Sequence, residues 1–95
     1  MWNPFAPQRP SVDHRALVRE GATLVDVRTP EEFQAGHVAG ALNIPVQVIE
    51  ARMAEIPKDR PVVLYCRSGA RSANAAQMLT RRGYKVVDIG PMQAW

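Results

Sequence analysis

Three apolar runs mark the main candidate strands of this chain. The segments "ATLVDVR" (22–28), "VVLYC" (62–66) and "KVVDIG" (85–90) are rich in β-branched residues. The first two are continuous enough in apolar residues to be buried on both faces of a sheet. We expect a shorter strand around residues 41–43, closed by Pro45. Runs of this kind are typical of a buried parallel sheet.

Two segments before the middle of the chain carry clear signals for short helices. "SVDHRALVREG" (11–21) predicts a helix with Ser11 as its N-cap and a glycine just past its end. In "TPEEF", Thr29 precedes a proline and stands three residues before Glu32, which predicts a capping box. That helix should begin where the first strand stops and should end at Gly36.

Two further helices are predicted from spacing and composition. Apolar residues recur at three- and four-residue spacing between Pro45 and Pro57, which predicts one amphipathic helix. They are Val46, Ile49, Met53 and Ile56. "SANAAQMLTRRG" (72–83) is rich in helix formers and stops at a glycine. Alternating strands and helices predict an α/β fold, with a mainly parallel central sheet and helices on both faces.

Length, charge and cysteine content limit the function classes. Ninety-five residues predict one domain, placed at 11–95 after an extended arm at 1–10. The twelve basic residues are spread along the chain without interleaved aromatics, so no nucleic-acid partner is expected. We found neither a membrane-length apolar stretch nor a signal-peptide pattern, and therefore expect a soluble, cytoplasmic protein with no membrane partner. A single cysteine and the lack of zinc-site spacing predict no disulfide, no metal and no cofactor.

That single cysteine stands at the end of a predicted strand, immediately before a helix. In a parallel sheet the ligand site lies beyond the carboxyl ends of the strands, so Asp26, Arg28 and Cys66 should reach the same edge. A lone cysteine is more often a small buried hydrophobe, but here the following loop is built of small residues. Gly69 can adopt a positive φ, which would turn backbone N–H groups inward to form an anion-binding nest.

Positive charge is concentrated around this thiol. Arg67 and Arg71 lie near a helix start, where cations are unfavourable by about 0.3 to 1 kcal/mol each. We interpret this cost as a functional requirement for a thiolate with a lowered pKa and for an anionic ligand. The alternative is that both arginines only face solvent. The candidate binding loop consists of Arg67, Ser68, Gly69, Ala70 and Arg71.

Two sequence blocks resemble one known family. "LVDVRTPEEFQAGHVAGALNIP" (24–45) resembles the N-terminal half of the rhodanese-homology domain, with its D-V-R, E-E-F, G-H and G-A-x-N-I-P elements in order. "CRSGARS" (66–72) resembles the active-site loop of that family. The resemblance extends from about residue 11 to 95, and single-domain bacterial sulfurtransferases that use thiosulfate are the nearest comparison.

The resemblance implies a covalent sulfur-transfer cycle. Cys66 would take the outer sulfur of a small anionic donor, carry it as a persulfide and pass it to a thiophilic acceptor such as cyanide, a thiol or a protein thiol. It also implies supporting roles for Asp26, which would orient an active-site arginine, and for Arg28, which would pair with Glu32 or its neighbourhood. An ordinary structural ion pair is the alternative for both residues.

Loop length and composition separate the related activities. Four residues lie between Cys66 and Arg71, whereas related phosphatases and arsenate reductases carry five, which makes a wider cradle for a tetrahedral oxyanion. Relatives that use mercaptopyruvate usually have glycine directly after the cysteine and threonine as the sixth loop residue. Arg67 and Arg71 at these positions suit dianionic thiosulfate better. A phosphatase, an arsenate reductase and a non-catalytic sulfur-carrier or binding module are the alternatives.

The remaining histidines and the chain end carry weaker signals. His37 belongs to the G-H element and is expected to make a turn hydrogen bond, while His14 is expected on a helix surface. "DIGPMQAW" departs from the family pattern, because Pro91 stands where relatives usually have a second glycine. Trp95 is expected to pack in the core, with a cover over the pocket as the alternative, and the changed chain end bears on how an acceptor reaches the site.

Overall fold

A four-stranded parallel sheet forms the centre of the protein, for which a computed structural model describes residues 13–95. The strands are β1 (Thr23–Asp26), β2 (Leu42–Asn43), β3 (Val62–Cys66) and β4 (Val86–Pro91). They lie in the order β2-β1-β3-β4, and each neighbouring pair is parallel. The predicted α/β fold with a parallel sheet is therefore confirmed. The predicted arm at 1–10 lies outside the described residues.

In the described part of the chain, three α-helices accompany the sheet: α1 (His14–Arg19), α2 (Pro30–Ala35) and α3 (Ala70–Arg81). The N-cap of α1 is Asp13, whose carboxylate accepts a hydrogen bond from the N–H of Ala16, and not the predicted Ser11, which lies outside the described residues. The predicted capping box of α2 is confirmed, since Thr29 and Glu32 bond reciprocally. Within residues 13–95, none of the helices combines the length and apolarity needed to cross a membrane.

The predicted amphipathic helix between Pro45 and Pro57 is wrong. The segment forms two short 3₁₀ turns, Val46–Val48 and Met53–Glu55, separated by a hydrogen-bonded turn. Ile49, Met53 and Ile56 are nevertheless buried in the core, and Val46 packs against it, as their spacing predicted. Pro57 has no N–H with which to continue a helix, and the Tyr84 hydroxyl bonds to the carbonyls of Met53 and Ile56. These contacts stabilise a compact irregular segment instead of one regular helix.

The two faces of the sheet have separate apolar clusters. One cluster joins β1 and β3 to α3 and the 3₁₀ turns, and it includes Cys66. The other lies on the opposite face, where Leu17 and Val18 of α1 pack against Leu24 and Tyr65. Cys66 therefore lies on the face of the sheet that α3 covers, at the carboxyl end of β3.

Candidate active site

Cys66 is the last residue of β3, and its sulfur faces the start of α3. The N–H of Gly69 donates a hydrogen bond to Cys66 Sγ with an N-to-S distance of 2.8 Å. The residue has 0% of its surface exposed. The sulfur thus lies under its own loop, in the orientation expected from the position of the cysteine at the strand end.

The loop conformation depends on Gly69. This residue has φ +101°, in the left-handed region that favours glycine, and it is the N-cap of α3. The turn at Gly69 lets its N–H point back toward the sulfur that precedes it by three residues. The predicted positive φ is confirmed, and it gives the chain the change of direction between β3 and α3.

Ser72 is a second hydrogen-bonding group at the sulfur. Its hydroxyl oxygen lies 3.4 Å from Cys66 Sγ and 3.1 Å from the carbonyl oxygen of Gly69, to which it donates. Ser72 is 0% exposed. When Cys66 is a thiolate, rotation of the Ser72 hydroxyl would direct its proton to the sulfur.

These contacts alter the acidity of the thiol. Burial favours the neutral form and raises the pKa of Cys66, but hydrogen bonds from the Ser72 hydroxyl and from the N–H groups of Ser72, Gly69 and Ser68 outweigh it. The net result is a thiol pKa below its usual value. The lowered pKa agrees with the sequence prediction, although hydrogen bonds are the leading favourable cause and not the guanidinium groups.

The two loop arginines have different environments. Arg67 is exposed and has no ion pair with any residue in the described range. Arg71, in the first turn of α3, donates from Nη1 to Oε1 of Glu32 at 2.7 Å and from Nη2 to Oε2 at 3.0 Å. Ser68 and Ala70 are also exposed. A cation that is not neutralised by a described residue therefore stands directly after the cysteine.

Asp26 and Arg28 form a buried ion pair with each other. Arg28 Nη2 lies 2.8 Å from Asp26 Oδ2, and the two side chains are 7% and 0% exposed. The two expected supporting contacts are corrected: Asp26 is paired with Arg28 and not with a loop arginine, and the carboxylate of Glu32 is paired with Arg71 and not with Arg28. Asp26 and Arg28 instead form the structural ion pair that the sequence left as the alternative. Arg28 Nη2 also donates to the carbonyl of Gly36 at 2.6 Å, so the pair holds the chain that follows α2.

Tyr65 and His37 stabilise the same segment. The N–H of Val38 donates to the Tyr65 hydroxyl at 3.1 Å, and burial raises the pKa of Tyr65 to about 12. His37 Nδ1 bonds to the carbonyl of Phe33 at 2.7 Å, and the two rings stack with centroids 3.6 Å apart. The predicted turn hydrogen bond of His37 is confirmed.

The C-terminal residues contact two different regions, the candidate site and the opposite face of the sheet. Pro91 pairs in register with Cys66, so the residue that departs from the family pattern borders the candidate site. Trp95 instead packs in the apolar cluster on the opposite face, which supports a core role. His14 is not simply on the helix surface, because it bonds to the Trp95 carbonyl at 3.2 Å and its ring lies 5.3 Å from the Trp95 ring.

The contacts of two residues at the candidate site were not predicted from the sequence. Ser72 falls in phase with the buried Ala75 and Leu79 of α3, and this phase was the available signal that its hydroxyl faces inward. From the sequence, Glu32 was identified as a capping residue and as an expected partner of Arg28, but not as the partner of Arg71. Its pairing with Arg71 joins positions 39 residues apart, for which the sequence contains no local signal.

Sequence comparison identifies similar proteins. A family model for the rhodanese-like domain matches residues 12–95. A sulfurtransferase of Allochromatium vinosum is 47% identical over 87 residues, which cover 90% of this chain and 81% of that protein. The thiosulfate sulfurtransferase PspE of Escherichia coli is 39% identical over 66 residues, which cover 67% of this chain and 64% of that protein.

Structural comparison gives the same fold. A solved structure described as rhodanese with anions from E. coli superposes with a TM-score of 0.74 at 35% identity, covering 79% of this chain and 92% of that chain. A rhodanese-like domain protein from Staphylococcus aureus superposes with a TM-score of 0.76 at 31% identity, covering 86% of this chain and 81% of that chain.

Proposed function

Because the chain belongs to the rhodanese-like domain family, we propose that it is a thiosulfate sulfurtransferase that carries sulfur as a persulfide on Cys66. Its relatives include sulfurtransferases, one of which is described as acting on thiosulfate. The observation that carries the proposal is the hydrogen bonding of Cys66 Sγ by the Gly69 N–H and its contact with the Ser72 hydroxyl. The Gly69 N–H favours a thiolate directly, and the Ser72 hydroxyl favours it once its proton turns from the Gly69 carbonyl to the sulfur. The thiolate is the nucleophilic form of cysteine.

The proposed first step transfers one sulfur atom to the enzyme. The Cys66 thiolate attacks the outer sulfur of thiosulfate and forms a new S–S bond. The S–S bond of thiosulfate breaks, and its electron pair leaves with sulfite. The enzyme then carries a persulfide anion, and no external oxidant or reductant is needed.

The second step returns the enzyme to its starting state. A thiophilic acceptor attacks the outer sulfur of the persulfide, and the electron pair of the Cys66 S–S bond returns to the Cys66 sulfur. With cyanide as the acceptor the product is thiocyanate, and with a thiolate it is a new persulfide. The two half-reactions predict ping-pong kinetics.

The loop supplies the groups for donor binding in this proposal. Backbone N–H groups of residues 67–71 would surround the outer sulfur, in the manner of an oxyanion hole. Arg67 is exposed and would attract the sulfonate end of thiosulfate. Arg71 would contribute less, since Glu32 already occupies both of its terminal nitrogens.

Burial of the thiol adds a requirement for access. Cys66 has 0% exposure, so attack on the donor needs rotation of the Cys66 side chain or opening of residues 67–70. Ser68 and Ala70 are exposed small residues, which allow the loop to move with little loss of packing. We therefore include a small loop displacement in the proposed donor-binding step.

Intact-mass measurement tests the proposal. Native protein incubated with thiosulfate should gain the mass of one sulfur atom, and cyanide should remove it with release of thiocyanate. Cys66→Ala is the matched control and should gain nothing. An unchanged native mass would refute thiosulfate as the donor, and an adduct that persists in Cys66→Ala would refute the role of Cys66.

The same proposal names partners and a location. A thiol, either small or on a protein, is the expected acceptor, because it can attack the outer sulfur as cyanide does. A cytoplasmic location would keep the free Cys66 thiol reduced.

Phosphatase activity is the alternative function. Hydrolysis of p-nitrophenyl phosphate by native protein but not by Cys66→Ala would favour it.

A further inference from the structure

Glu32 connects two helix starts at the candidate site. It lies in the first turn of α2, and its carboxylate pairs end-on with Arg71 in the first turn of α3. Oε1 also accepts hydrogen bonds from the N–H and the hydroxyl of Thr29, each at 3.1 Å. The carboxylate is thus held by donors on both helices and has little freedom to turn away.

The Glu32–Arg71 pair determines which of the two loop arginines is free to bind an anion. Arg71 directs both terminal nitrogens to Glu32, and the two side chains are 29% and 23% exposed. An incoming dianion must therefore compete with a carboxylate that is already in place and already oriented. Arg67 has no such partner among residues 13–95. Counting only the part of the chain that the structure describes, the cysteine loop presents one available positive charge where its sequence suggests two.

We infer that Glu32 is a specificity-determining residue that limits how tightly the cysteine loop binds dianions, by acting as an internal competitor for Arg71. This inference rests on the proposed function, in which thiosulfate enters and sulfite leaves as dianions. A weaker anion site lets sulfite depart after the sulfur has been transferred. Glu32 contacts Arg71 and not the reacting sulfur, so it is a positioning and charge-balancing residue rather than a catalytic one.

The chain offers a nearly isosteric test of this inference. In Glu32→Gln, the amide oxygen can still accept from Thr29, as glutamine does in a capping box, while the negative charge opposite Arg71 is lost. The matched control is Glu55→Gln. Glu55 forms a similar pair with Arg52, at 2.7 Å, in a separate part of the chain, so this variant has the same change in net charge.

Anion binding can be measured without sulfur transfer. Sulfate, a dianion that cannot donate sulfur, should protect Cys66 from alkylation by iodoacetamide, and the concentration giving half-protection measures the affinity of the site. We expect half-protection at about three- to tenfold lower sulfate in Glu32→Gln. Glu55→Gln should stay within about twofold of native protein, since distant exposed charges are screened.

A second set of variants keeps the inference falsifiable if Glu32→Gln perturbs the loop. In an Arg71→Met background, Glu32→Gln should produce no gain in sulfate protection, because the competitor and its cation are then both absent. Equal or weaker protection in the single variant Glu32→Gln would overturn the inference, as would a gain that persists in Arg71→Met. The half-saturating thiosulfate concentration for persulfide formation should fall in parallel with that for sulfate protection.

The two proposals fail in different ways. If native protein forms no persulfide but sulfate protection tightens in Glu32→Gln, the thiosulfate reaction is refuted and the role of Glu32 in anion binding stands. If persulfide forms normally and sulfate protection does not change, the sulfurtransferase proposal stands and Glu32 is only a structural link between α2 and α3.

Discussion

Replacement of Ser72 by alanine should weaken the thiolate without disrupting the fold. The substitution removes a hydroxyl 3.4 Å from Cys66 Sγ and leaves a side chain of nearly the same volume at a fully buried position. The carbonyl of Gly69 loses the Ser72 hydroxyl but keeps the N–H of Ala73, 3.0 Å away. No buried backbone acceptor at this turn is therefore left without a donor.

The expected effect follows from one hydrogen bond to the sulfur. A typical hydrogen bond contributes about 1 kcal/mol net, which corresponds to about fivefold in the thiolate population at any pH below the thiol pKa. Because the Ser72 hydroxyl is the largest favourable cause of the lowered pKa of Cys66, its removal should move the pH profile of thiol reactivity to higher pH. The rate at high pH, where the thiol is fully ionised, should change little.

The assay is the rate of alkylation by iodoacetamide as a function of pH, followed by intact mass. Thr80→Ala is a matched control, since it removes a hydroxyl from an exposed position on the same helix. Persulfide formation from thiosulfate should slow by a similar factor in Ser72→Ala. Identical pH profiles for native protein and Ser72→Ala would refute the role of Ser72 at the sulfur.

Four further predictions follow from other contacts. Asp26→Asn leaves the charge of Arg28 buried without its partner. The variant should lower the free energy of unfolding by about 3 to 5 kcal/mol in urea titrations. A loss below about 1 kcal/mol would contradict the importance of that pair. Gly69→Ala must adopt a strained positive φ and should lose about 1 to 2 kcal/mol of unfolding free energy together with thiol reactivity; unchanged values of both would contradict the assigned loop geometry. Arg67→Gln should raise KM for thiosulfate with little change in kcat, and an unchanged KM would exclude this arginine from donor binding. Hydrogen bonds from Arg71 lower the pKa of Glu32 from 4.5 to about 2. Native protein should therefore have a higher free energy of unfolding than Glu32→Gln above pH 4.5, and this difference should be lost as the pH falls toward 2. A difference that grows with acidity would contradict this sign.

The sheet and the position of Cys66 were predictable because their signals are local. The run at 62–66 is apolar enough to specify a buried strand, and the small residues after it specify a tight turn into α3. The capping box of α2 was predictable for the same reason, since Thr29 and Glu32 lie within one turn of each other. Each of these features depends on neighbours in the sequence.

The partners of the charged side chains were not predictable in this way. Arg28 had Asp26 and Glu32 within a few residues, and the choice between them depends on how α2 lies against the sheet edge. The segment after Pro45 is a case in which the backbone structure also depends on contacts with residues distant in the sequence. Its apolar spacing matched a helix, and Ile49, Met53 and Ile56 are buried. The segment forms two 3₁₀ turns instead, and the Tyr84 hydroxyl bonds to carbonyls at the second of them.

The most direct test of the central claim is a single-turnover measurement of sulfite. Thiosulfate is added to the native protein with no acceptor present, and the sulfite released is counted per protein chain. The proposed persulfide step predicts one sulfite per chain, with no further release until cyanide or a thiol is added. Absence of sulfite until the acceptor is present, or equal release by Cys66→Ala, would contradict a covalent intermediate on this cysteine.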